Sequence, residues 1–263
     1  MNKKDFRENR SHENLERSDY NIKLNQYVNS LYKGMTDLAS IHIKKTCNKK
    51  ILKTDLRDAV IEKERNMLFY LSKKFENDFI YWIDISNHLV EQVKKNYPNV
   101  ITKQVDLTKW DLSFMNFDFL GDYSTLDHIE DKNLWKVFAF YHQVLNEDGI
   151  GLVIYYRRSP RIKFANWLYK IFSKQSFFEK WEKIWQYFFD DHLVKKNIKN
   201  NSMRIIEEYN INILSSFPFF VWKFIPQKII NWLKNKESKW KLKLFTSLFS
   251  SMRAVIIKKT SCN

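Results

Sequence analysis

Apolar positions fall in two rhythms along the chain. Phe79-Ile80-Tyr81-Trp82-Ile83 runs unbroken into Asp84-Ile85-Ser86, which predicts a buried parallel strand surfacing at its carboxyl end. Ile51-Leu52, Val100 to Val105, Phe117 to Leu120 and Gly149 to Tyr156 are further short runs, with segments of helical length between them. Leu24, Tyr27, Val28, Leu31 and Tyr32 keep helical spacing within Tyr20 to Ile43, predicting a helix that covers one sheet edge. Val60, Ile61, Met67, Leu68 and Leu71 predict a second helix, with Asp55 as its cap and Asp58 on its dipole. Helices are also expected over Leu89 to Asn96 and Leu134 to Leu145, with a turn at Asn146 to Gly149. Alternation of strand and helix is the pattern of a doubly wound α/β sheet.

Beyond Arg158 this alternation pauses. Phe164, Trp167, Leu168, Ile171 and Phe172 share one helical face, and Trp181, Ile184, Trp185, Phe188 and Phe189 share another. Ile205 to Tyr209 leads into a strand expected at Ile211 to Leu214. A second insertion spans Phe217 to Ser251, and Arg253 to Ile257 closes the sheet as the last of seven strands. Three parts follow: a frayed terminus (1–20), a core with an N-terminal helix (21–158), and a part that completes the sheet around helical insertions (159–263).

Composition changes the picture for that last part. The chain has 263 residues, 44% of them hydrophobic, enough for one full core. Residues 157–263 hold 22 Lys+Arg and 7 Asp+Glu, and 22 − 7 = 15, the whole net charge of +15. Three readings stand for the basic, aromatic insertions: core stripes with solvated lysines, an acceptor lid that meets an anionic glycan, lipid-linked sugar or membrane surface, or an RNA-binding face. Cys47 and Cys262 lie near opposite ends without metal-ligand spacing, no metal is expected, and a reducing cytoplasm is the expected setting. The opening residues lack the apolar stretch of a secretory signal. Ile211 to Trp222, the longest uncharged apolar stretch, is too short to span a bilayer.

The candidate chemistry sits at strand ends. Asp84-Ile85-Ser86, then Val105-Asp106-Leu107, then Phe117-Asp118-Phe119-Leu120-Gly121-Asp122-Tyr123, then Val144-Leu145 running to Gly149, resemble the class I S-adenosylmethionine-dependent methyltransferases. The resemblance covers about Ile51 to Tyr156 and implies a seven-stranded, Rossmann-like methyltransferase sheet. It implies that Asp84, with Ile85 and Ser86, holds the ribose hydroxyls of S-adenosylmethionine. Asp106 and the backbone of Leu107 would face the adenine, and Gly121, Asp122 and Tyr123, just past the fourth strand, would line the methyl-transfer site. Trp82 shares a strand side with Asp84 and would crowd or support the cofactor. The family's first strand feeds a glycine-rich loop, whereas this chain has Lys53-Thr54-Asp55-Leu56-Arg57 and no glycine between Gly34 and Gly121. Either Lys53 or Thr54 holds the cofactor carboxylate and Asp55 its ammonium group, or the site is degenerate. Where the acceptor must lose a proton, Asp122, Asp127 and His128 are the candidate bases. The expected activity is methyl transfer to a small-molecule, sugar or lipid-linked acceptor. An inactive scaffold of the same fold and an RNA methyltransferase are the alternatives.

Overall fold

The computed structural model describes residues 19–44, 48–56, 67–75, 78–98, 100–109, 116–173, 176, 178, 186–212, 226, 228, 247–248 and 250–260. In chain order these form α1 (Asp19–Ser40), β1 (Lys50–Thr54), α2 (Met67–Lys74), β2 (Phe79–Asp84), α3 (Asn87–Asn96), β3 (Ile101–Gln104) and β4 (Phe117–Tyr123). After two short 3-10 turns come α4 (Leu134–Val144), β5 (Leu145–Tyr156), α5 (Pro160–Ser173), α6 (Asp191–Asn200), β6 (Met203–Ile211) and β7 (Met252–Lys259). One seven-stranded sheet has the order β3-β2-β1-β4-β5-β7-β6. β7 runs antiparallel to both of its neighbours, while β1 pairs in parallel with β2 and β4.

Because β4 and most of β5 are buried on both faces, their apolar runs are what such strands require, whereas β3 at the sheet edge is polar and partly exposed. On one face Ile51, Trp82, Phe119, Leu152 and Ile154 pack with Tyr27, Leu31, Met35 and Ala39 of α1 and Leu89, Val90 and Val93 of α3. The α1 residues recur every fourth position, which keeps one stripe against the sheet. On the other face Leu52, Ile83, Leu120 and Val153 meet Leu134, Val137, Phe138 and Tyr141 of α4, with Val194 and Ile198 of α6. The chain order reverses between β1 and β4, and in open parallel sheets that switch opens a crevice at the carboxyl ends of the strands.

The seven strands match expectation, with several shifts. The sixth strand is Met203–Ile211 rather than Ile211 to Leu214. Its charged positions hide it in the sequence, but Glu208 pairs with Arg253 and Lys195, at 3.3 and 2.8 Å. Phe188 and Phe189 are not helical: Phe189 bridges Arg157, its N–H donating to Tyr156 O at 3.0 Å. Pairing with the end of β5 overrides the helical spacing there. The turn expected at Asn146 to Gly149 lies inside β5, where pairing steps from Phe117↔Leu145 to Phe119↔Ile150. Asp58, Val60 and Ile61, Trp181, Ile184 and Trp185, both cysteines, most of the Phe217 to Ser251 insertion and residues 1–18 lie outside the described residues. Among the described residues no helix is long and apolar enough to cross a membrane.

Candidate functional site

The carboxyl edge of the sheet gathers the buried polar residues. Asp84 ends β2 almost fully buried. Its Oδ2 accepts from Leu56 N at 2.9 Å and its Oδ1 from Ser86 N at 2.8 Å. The carboxylate is therefore aimed at the segment after β1 and anchored by the turn into α3. Ser86 caps α3, its Oγ accepting from Leu89 N at 3.4 Å, and Gln104 Nε2 donates to Ile85 O at 2.9 Å.

The segment after β1 solves the missing-glycine problem at one position. Asp55 adopts φ 80°, in the region where glycine is free of strain and Asp and Asn are the tolerated exceptions. Its N–H donates to Ile83 O at 2.9 Å, so the turn is tied to β2. Whether Asp55 also caps a helix falls on residues outside those described. Thr54 turns to the α4 face, its hydroxyl 2.7 Å from that of Thr125.

Lys53 is completely buried within β1 rather than on the loop, paired with Trp82 and Gly121. Its Nζ donates to Asp55 O and lies 4.6 Å from the Trp82 ring and 5.7 Å from the Tyr123 ring. An ammonium over two aromatic faces is held by their quadrupoles. The indole of Trp82 thus forms the floor under Lys53 instead of filling the crevice. Its Nε1 is a buried donor with no hydrogen-bond partner among the described residues.

Gly121, Asp122 and Tyr123 lie inside β4, not past it, and the strand's two-residue period divides them. Gly121 and Tyr123 face α1, and a Cβ on Gly121 would stand 2.6 Å from Tyr123 Cε2. The Tyr123 ring folds back over the glycine, its hydroxyl 2.7 Å from Thr36 Oγ1. Tyr32 of α1 adds a ring at 5.5 Å from it and a hydroxyl contact to Ser124 Oγ at 2.8 Å. Asp122 points the other way: Oδ1 accepts from Thr125 N at 2.7 Å and Oδ2 from the Tyr141 hydroxyl. Burial raises its pKa to about 6, against the lowering by those hydrogen bonds. The expectation that Asp122 lines the methyl-transfer site with Tyr123 is corrected by this alternation.

Asp127 is also fully buried. Its Oδ1 accepts from Tyr156 N at 2.7 Å, while Oδ2 has no hydrogen-bond partner of ordinary geometry among the described residues, and burial pushes its pKa up. His128 closes the 3-10 turn Leu126–His128 beside it. At the end of β3, Asp106 folds into a side-chain turn, Oδ1 accepting from Thr108 N at 2.9 Å and Thr108 Oγ1 at 2.7 Å. Partial burial raises its pKa, but Thr108 and Lys109 outweigh this and hold it below the ordinary value. Leu107 is buried next to it.

The fold thus brings Lys53, Asp55, Asp84, Ile85 and Ser86 together at one edge, with Asp106 and Leu107 on one flank and Gly121 and Tyr123 on the other, and leaves Thr54, the register partner of Asp122, on the α4 face. It separates Asp122 to the opposite face. Tyr32 and Thr36 enter the site from α1. Tyr32 is visible in the sequence as part of a helical stripe, whereas nothing in the sequence marks Thr36. A cleft of about 290 Å³ lined by Ile43, Lys44, Asp118, Asn146, Glu147 and Asp148 opens at the amino edge, away from this chemistry. Among the described residues no group of His, Cys, Asp and Glu could hold a metal ion.

Residues 64–149 match the model of the family described as a methyltransferase domain. Among solved structures the chain is similar to an S-adenosylmethionine-dependent methyltransferase from Clostridium acetobutylicum (TM-score 0.56, 9% identity, 88% of this chain and 92% of that one). It is similar to the cyclopropane synthase MmaA2 from Mycobacterium tuberculosis (0.55, 12% identity, 85% and 82%). PKMT2 from Rickettsia typhi in complex with AdoHcy also matches (0.52, 13% identity, 90% and 53%), and the chain spans about half the length of that protein. At these identities the likeness is one of fold. Comparison with curated proteins gave no match.

Proposed function

We propose that the chain is an S-adenosylmethionine-dependent methyltransferase, a reading supported by the methyltransferase-domain match over residues 64–149 and by the fold, and that its own residues serve methyl transfer as follows. The observation that carries the reading is Asp84: a buried carboxylate at the switch-point edge, oriented by the amides of Leu56 and Ser86. It accepts the ribose hydroxyls. Asp106, held ionised, accepts the adenine amine beside Leu107. Trp82 Nε1, without a hydrogen-bond partner among the described residues, offers a further buried donor on the α1 side. The positive φ of Asp55 brings the backbone close in the manner a glycine would, and Lys53, on the same strand side as Trp82 and Gly121, receives the carboxylate of the methionine portion.

The bound sulfonium supplies an electrophilic methyl group, and transfer is an in-line displacement governed by positioning and exclusion of water. Tyr123, oriented by Thr36 and packed on Tyr32, walls the α1 side and excludes water there. Asp122 is hydrogen-bonded inside the opposite face and takes no part in proton transfer. This arrangement favours an acceptor that needs little help in losing a proton, among small-molecule or lipid-linked acceptors, over a sugar hydroxyl.

Calorimetric titration with S-adenosylmethionine and S-adenosylhomocysteine tests the reading, with Asp84→Asn as the variant. Micromolar binding by the parent chain, lost in a variant that remains folded by circular dichroism, is expected. Absence of heat and of thermal stabilisation in the parent chain would leave a scaffold of the same fold. Unchanged affinity in Asp84→Asn would remove Asp84 from the site.

A further inference from the structure

Helix α5 turns its apolar stripe outward. Phe164, Trp167 and Ile171 are 58%, 55% and 54% exposed, at spacings of three and four that put them on one face. Helical stripes of this kind ordinarily cover a core, and here the sheet is already covered on both faces by other helices. What faces inward on α5 is instead half-buried Ile162, Asn166 and Tyr169, with Asn166 Oδ1 accepting from Ser176 Oγ at 2.9 Å. The helix is anchored at its start by Ser159, whose Oγ accepts from Ile162 N at 3.4 Å. An outward stripe on an anchored helix is a surface.

Its charge has one sign. Pro160–Ser173 contains Arg161, Lys163 and Lys170 and no acidic residue. On a helical projection Lys163 and Lys170 flank one side of the stripe and Arg161 the other. Lys163 is matched by Asp190 at 2.5 Å, so Lys170 and the wider basic segment supply most of the attraction. We propose that this face of α5 lies in the headgroup layer of an anionic membrane, with Phe164, Trp167 and Ile171 inserted and the lysines among the lipid phosphates. Basic helices with bulky apolar side chains on the other face bind such interfaces through buried area and charge together. Single-stranded RNA fits less well. Phe164 and Trp167 stack on each other at 5.6 Å with an interplanar angle of 28°, so each has one ring face already occupied, and Ile171 offers no surface on which a base stacks. Because α5 follows β5 directly, it emerges from the same sheet edge as Asp84. The inference deepens the acceptor side of the reading above, since a docked chain would meet lipid-linked acceptors there, but it does not depend on cofactor binding.

The test is co-sedimentation of the full chain with vesicles of phosphatidylcholine and phosphatidylglycerol, against phosphatidylcholine alone. Binding to the mixed vesicles only, weakened by salt, is expected. Replacing Phe164, Trp167 and Ile171 together by Ser should reduce it about tenfold or more. Because all three side chains are exposed, the thermal midpoint should stay unchanged. Trp167→Glu alone provides a milder variant with the same expected direction. Cofactor titration of these variants should match the parent chain, which separates failure here from failure of the methyl-transfer reading. Absence of vesicle binding by the parent, or equal binding by the variants, would overturn the proposal. So would salt-dependent retention of single-stranded RNA that the variants lose.

Discussion

Asp122→Asn separates a structural carboxylate from a catalytic one by its pH dependence. In the folded chain Asp122 is fully buried, and its pKa rises from 3.8 to about 6 because burial penalises the charge. Below about pH 4 the group is protonated in both folded and unfolded chains, so it costs nothing. As pH rises through about 6 the unfolded chain has already ionised, and the folded chain must bury the charge or keep the proton. At about 1.4 kcal/mol per pKa unit, the roughly two-unit shift withdraws about 3 kcal/mol of stability between pH 4 and 7. Asparagine carries no charge at any pH, can still accept from Thr125 N, and can donate to the Tyr141 hydroxyl if that hydroxyl reverses its role. The difference between parent and variant unfolding free energies, from urea denaturation at a series of pH values, should therefore move by about 3 kcal/mol in favour of the variant from pH 4 to 7. Titrating groups that do not interact with Asp122 cancel in that difference, while Asp127, which the Asp122 charge pushes up, is relieved in the variant and shifts the difference the same way. Cofactor affinity should stay within a fewfold, because the carboxylate faces α4 and not the crevice. A difference independent of pH would refute the buried-acid account. A collapse of methyl transfer in a folded variant would return Asp122 to the site.

Gly121→Ala would put a Cβ 2.6 Å from the Tyr123 ring, forcing the ring off Thr36. Urea denaturation should show a loss of about 1–3 kcal/mol, with weaker cofactor binding, whereas parent-like stability and affinity would mean that the ring does not close over the glycine. Asp55→Gly removes a left-handed conformation costly for an L-residue and should raise stability by about 1 kcal/mol. If cofactor affinity falls in that more stable variant, the Asp55 carboxylate holds the ammonium group. If affinity is unchanged, the backbone alone was the contribution.

What the sequence made legible was set by periodicity. Asp84 could be read because an unbroken buried run has one exit, and a carboxylate at that exit must meet either solvent or a ligand. The same two-residue period also implies that Gly121 and Tyr123 share a side and that Asp122 does not. Adjacency in sequence groups the three, whereas the pleat divides them. Lys53 was illegible for a different reason. Lysine is almost never fully buried without a partner, and its partners are an aromatic floor from β2 and a ring from β4, brought into register only by the completed sheet. β6 was hidden because Glu207, Glu208 and Arg204 break the apolar signal, and the cations that answer Glu208 come from β7 and α6. For α5 the spacing identified a stripe but not what it meets, because a helical face looks the same in sequence against a core or a lipid surface. The sheet decides this in part: other helices already cover both of its faces, and the stripe on α5 stays exposed.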